Sequence, residues 1–137
     1  MRTKVFMYWS TTVFLALIML SGGIAELIQR TDNVQGMAIL GYPPYFMYII
    51  GLWKILGTIV ILAPGFPRLK EWAYAGAFFN MTGAAASHFF ANDYGPYAWH
   101  VIINLIFAGV VIASWVLRPS NRIPGTLFPT KRQTQQQ

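Results

Sequence analysis

Four runs of about twenty apolar residues, at positions 5–25, 45–63, 72–90 and 97–117, dominate the chain. About twenty residues at ~1.5 Å of helical rise each cross ~30 Å of hydrocarbon. None of the runs shows the strict apolar/polar alternation of an outer-membrane strand, and a lipid-exposed backbone has to satisfy its own N–H and C=O groups, so all four read as helices. Proline and glycine punctuate them. Pro43 and Pro44 precede the second run, Pro64, Gly65 and Pro67 follow it, and Gly95 with Pro96 separates the third from the fourth.

Lysine and arginine set the expected orientation. Arg2 and Lys4, Arg68 and Lys70, and Arg118, Arg122, Lys131 and Arg132 make eight on one side against Arg30 alone on the other, once Lys54 within the second run is set aside. The side rich in cations is expected to be cytoplasmic, with both termini. Aromatic residues are expected at the rims: Tyr8, Trp9, Trp72 and Trp115 inside, and Tyr42, Tyr45, Tyr94, Tyr97 and Trp99 outside. The reading is an all-α protein in which residues 1–118 form a four-transmembrane-helix bundle, followed by a polar, disordered cytoplasmic tail at 119–137. The outer loop 29–42 has room for a short interfacial helix around 34–40. A cleaved signal peptide is the rival reading of the first run, although that run is longer than the usual ~7 to 15 residue core.

Composition narrows the chemistry. Of 137 residues, 55% are hydrophobic and only 10% charged, and there is no cysteine, which removes disulfides, thiolate metal sites and dithiol relays. The net charge of +6 flanks apolar runs and covers no face of a soluble domain, so nucleic acid is not an expected partner. No serine–histidine–acid grouping, phosphate loop or paired-carboxylate motif stands out, and no catalytic residue and no metal site are assigned.

The polar residues inside the apolar runs are the candidate site. Lys54 is the tenth of nineteen residues in the second run, about 13 Å from either end. It either snorkels or faces protein with a partner. Asn80 and Asn104 lie level with it or just outward, and His88, His100 and Glu26 one turn further out. Asn80, Ala84, Ser87 and His88 share helical spacing, as do His100 with Asn104 and Gly22 with Glu26. A shared polar pocket opening outward is expected, with Trp53, Phe78, Phe79 and Phe107 as apolar walls. Each member has a structural alternative: Glu26 balanced by Arg30 at i+4, the asparagines as interhelical glue, His88 as a helix-end cap. Asp93 is assigned to the outer turn. Two histidines at similar depth raise haem or metal binding, on depth alone.

The segment LGYPPYFMYIIGLWKILGTIVILAPGFPRLKEWAYAGAFFNMTGAAASHFF resembles the DoxX-like family of small bacterial membrane proteins. The resemblance rests on the GYP of Gly41, Tyr42 and Pro43, the WK-x-x-G of Trp53, Lys54 and Gly57, the KEWAY beginning at Lys70, and the SH of Ser87 and His88. It implies a four-helix bundle in a bacterial inner membrane, and links in some relatives to quinone-coupled sulfur oxidation or oxidative-stress complexes. It also implies an acidic residue near position 80, where this chain has Asn80. Three functions follow as expectations. The first is a subunit that binds a quinone-like, lipid-soluble ligand at Lys54 or His88 and works with a membrane redox partner. The second is a small transporter or proton-coupled permease. The third is a non-enzymatic assembly factor, and a homo-oligomer is compatible with the small residues at Gly76, Gly83, Gly109 and Ala113.

Overall fold

The computed structural model describes residues 1–124. Four long helices, α1 (Arg2–Leu27), α3 (Tyr45–Leu62), α4 (Pro67–Phe90) and α5 (Trp99–Val116), are joined by the short α2 (Thr31–Ile39) and a 3-10 turn at Pro96–Ala98. No strand occurs among the described residues. Each long helix buries one stripe at helical spacing: Tyr8, Thr12, Leu15, Met19, Gly23 and Glu26 on α1, and Lys70, Tyr74, Ala77, Met81 and Ala85 on α4. These stripes close a ring in the order α1, α3, α4, α5 and back to α1. Leu15, Met19, Ile61, Tyr74, Ala77, Met81, Ala108 and Val111 fill its centre.

The perimeter carries Phe6, Leu17, Leu52, Trp53, Phe79 and Leu105, a surface far more apolar than water tolerates. Three helices, α1, α3 and the segment Pro96–Val116, are long and apolar enough to cross a membrane. Helix α4 is long enough at 24 residues but less apolar, because it starts at Pro67 and takes Arg68, Lys70 and Glu71 into its first turns. The expected run at 72–90 had left those charges in the loop.

Helix α1 begins, α3 ends, α4 begins and α5 ends at one end, here the lower end; the turns α1–α3 and α4–α5 make the upper end. At the lower end Thr12 Oγ1 and Ser114 Oγ lie 2.7 Å apart, and the Tyr74 hydroxyl lies 2.9 Å from the same Ser114 oxygen, so one hydroxyl cluster joins α1, α4 and α5. Tyr8, expected at the rim, is fully buried beside it. Residues 120–122, expected to be disordered with the rest of the tail, form a 3-10 turn. Its Arg122 donates to the Ile61 carbonyl at 3.0 Å and sits 4.9 Å over the Trp9 ring. The remainder of that tail, 125–137, lies outside the described residues.

Candidate functional site

Two glycines decide what happens in the middle of the fold. A Cβ on Gly23 would come within 2.9 Å of the Gly51 carbonyl oxygen, and one on Gly51 within 2.8 Å of the Gly23 carbonyl oxygen. Bare backbones therefore meet where α1 crosses α3, the close approach that small residues permit. Each glycine is followed three residues later by a charged residue. Glu26 packs its Cβ over Gly51, and Lys54 packs its Cβ over Gly23. From those positions the Lys54 ammonium donates to Glu26 Oε1, with side chains only 16% and 7% exposed. Lys54 is therefore paired inside the fold, and of the two partners open to Glu26 it is the lysine that takes it. Arg30 pairs instead with Asp32, at 3.5 Å and in the open. The other carboxylate oxygen, Glu26 Oε2, is buried without a hydrogen-bond partner among the described residues.

Beside the pair, between α3 and α4, runs a cleft of about 410 Å³. Lys54 and Asn80 are the polar residues of its lining. Its walls come from Ile50, Trp53, Leu56, Val60, Leu69 and Trp72, so it runs from one turn above Lys54 down toward the lower end. This corrects the expected outward opening. Trp53, Trp72 and Gly76 are exposed on the perimeter, which puts the mouth of the cleft on the side of the fold. Phe78 and Phe79 line a different cleft, of about 310 Å³, between α4 and α5, and Phe107 packs edge-on against Phe14. They are not walls of the Lys54 cleft.

The histidines stand apart from it. His88 ends α4, His100 begins α5, and the turn between them brings Asp93 against both. His88 Nδ1 lies 2.9 Å from Asp93 Oδ2, His100 Nδ1 lies 3.2 Å from Asp93 Oδ1, and the ring centroids are 5.1 Å apart. The single expected pocket thus divides into a lysine–glutamate pair with a cleft and a separate His88–Asp93–His100 cluster at the upper end. Asn104 joins neither: its amide donates at 2.7 Å to the His100 carbonyl of its own helix.

A third polar cluster, at the lower end, was read from sequence only as topological charge. The last carbonyls of α3 have no helical partners. Lys70, fully buried, donates to the Val60 and Ala63 oxygens, and Arg122 donates to those of Ile61 and Leu62. The cations also complement the negative end of the helix dipole. Arg118, itself buried, donates to Glu71 Oε1 at 2.6 Å and lies 5.1 Å over the Tyr74 ring. The second Glu71 oxygen accepts from the Trp115 indole at 2.7 Å.

A family model described as the DoxX-like family matches residues 10–114, a stretch that runs from Ser10 within α1 through nearly all of α5 and takes in every residue of the pair, the cleft and the histidine cluster. The chain belongs to the DoxX-like family. No curated protein and no solved structure matches it. In this DoxX-like protein the WK-x-x-G segment supplies Trp53, Lys54 and Gly57 to the cleft, and KEWAY supplies the Lys70 cap, Glu71 and Tyr74. Asn80, in the lining of the cleft, does not contact the lysine's carboxylate partner, which comes from α1.

Proposed function

We propose that this DoxX-like protein crosses a bacterial inner membrane four times with both termini cytoplasmic, and holds a small lipid-soluble ligand of the quinone class in the α3–α4 cleft, as an accessory subunit beside a membrane redox partner. Helix α4 is the fourth crossing in this reading. Its 24 residues suffice in length, and it packs against two of the apolar helices. The eight-to-one bias of lysine and arginine supports the orientation. Because the chain has no cysteine, single cysteines introduced at positions 65 and 93 report sidedness without background. An impermeant maleimide should label position 93 from outside intact spheroplasts and position 65 only after lysis. The same side for both rejects four crossings.

The observation that carries the ligand reading is the cleft itself: about 410 Å³ and mostly apolar, with Lys54 and Asn80 in its lining. Ligand sites commonly combine such apolar walls with a few polar anchors. Lys54 or Asn80 would donate to a ligand carbonyl while Trp53 and Trp72 flank the ring or its tail. The test uses the purified chain in lipid nanodiscs with a photoactivatable ubiquinone analogue. Labelling should fall on α3 and α4 and drop at least tenfold in Asn80→Leu and in Gly76→Leu. A Cβ at Gly76 meets no heavy atom within 4 Å and Gly76 lines the cleft, so the leucine starts without a backbone clash and is expected to reach into the cleft. Labelling that is unchanged in both variants, or that falls on other helices, rejects the site.

A further inference from the structure

The His88–Asp93–His100 cluster takes no part in the cleft, since none of its residues lines it. We propose that it is a binding site for a first-row divalent transition-metal ion, with zinc the ion that its donors suit best. Two imidazoles and one carboxylate are a zinc or iron donor set; magnesium and calcium take oxygen ligands instead. One ligand atom from each residue lies within 4.8 Å of the other two. Bonds of about 2.0–2.2 Å in a tetrahedral shell place donors roughly 3.3 Å apart. The nitrogen–oxygen separations of 2.9 and 3.2 Å are already close to that spacing.

Both rings place Nδ1 against Asp93: that of His88 meets Oδ2, and that of His100 lies 3.2 Å from Oδ1 and 3.2 Å from the Asp93 main-chain carbonyl oxygen. With neutral imidazoles, binding moves each ring's proton to Nε2 through solvent and leaves the net protonation of the rings unchanged. Three protein ligands leave a fourth position for water, and the His100 side chain, 40% exposed, opens the site to it.

The backbone holds these donors in place without a metal. Asp93 N–H donates to the His88 carbonyl at 2.9 Å, and His100 N–H to the Tyr94 carbonyl at 3.0 Å. Gly95 has φ +65 and ψ −176, a conformation essentially reserved for glycine, and a Cβ there would come within 2.8 Å of the His100 ring. The turn is shaped to seat that imidazole beside the carboxylate. Ligands from a helix end, a turn and a helix start, brought together by a glycine-specific bend, form a site prepared before the ion arrives.

The test uses the full chain, free of any histidine tag and stripped with chelator, in detergent micelles. Cobalt(II) serves as the spectroscopic probe and zinc as its competitor. One saturable equivalent with tetrahedral d–d absorption, displaced by zinc, is expected. His88→Ala, His100→Ala and Asp93→Asn should each weaken binding by at least roughly tenfold, and Asp32→Asn, at an exposed surface acid, should leave it unchanged. The chain's two histidines are both in the site, so the unmutated protein gives a second readout: zinc should protect His88 and His100 together from diethyl pyrocarbonate. Absence of saturable binding, binding indifferent to all three ligand variants, or histidines modified equally with and without zinc would each overturn the proposal.

Discussion

Lys54 and Lys70 are both withdrawn from water, by opposite means. Lys54 meets a carboxylate, Glu26, across a helix crossing stripped to bare backbone; Lys70 meets no acid among the described residues and spreads its protons over the carbonyls that end α3. The first arrangement is a closed account between two charges, so losing either one strands the other. The second sets a full charge against partial ones, and a neighbouring cation, Arg122, serves the same helix end. A buried ion pair should therefore be brittle where a cationic helix cap is forgiving.

The largest expected effect tests that contrast directly. Glu26→Gln should lower stability by about 3–5 kcal/mol, because a buried ammonium loses its counter-charge, while the double variant Glu26→Leu with Lys54→Leu should recover most of the loss. Lys70→Met should cost less, about 1.5–3 kcal/mol, the range of charge-assisted hydrogen bonds, since Arg122 remains on the adjoining carbonyls. Unfolding in mixed micelles followed by circular dichroism ranks the three. Equal losses for Glu26→Gln and Lys70→Met would erase the distinction.

Next come the glycines beneath the pair. Gly23→Ala drives a methyl into a backbone carbonyl and should cost about 1–3 kcal/mol as the helices move apart. Gly22→Ala, one residue earlier, brings its methyl only to ordinary contact with the Lys54 ammonium at 3.7 Å and should stay within about 0.5 kcal/mol of the parent. Similar values for the two would show that the crossing is not the tight contact described.

The helices were readable in advance because composition determines them: a run of apolar residues without alternation has few other forms in lipid. The depth of Lys54 likewise announced its burial. Its partner was readable only as one of two alternatives, since the sequence also sets Arg30 at i+4 from Glu26; α1 ends at Leu27, short of Arg30, and the meeting of Gly23 with Gly51 brings Glu26 to α3. The histidine cluster eluded the pattern for a related reason. Helical spacing put His88 in line with Asn80, but Asp93 reaches both rings through a turn with positive φ at Asn92, Gly95, Tyr97 and Ala98, a path that periodicity does not encode. Lys70 and Arg122 looked like orientation signals because cations at a membrane boundary usually are; which carbonyls they cap depends on where α3 stops.

The mouth of the α3–α4 cleft lies on the flank of the fold, between Trp53 and Trp72, and not at either end. A guest that enters by such a side door comes from among the acyl chains, so what governs occupancy is its mole fraction in the bilayer. Affinities for this protein would then scale with the amount of lipid in the assay, and two laboratories using the same aqueous concentration in different vesicle loads would measure different saturation.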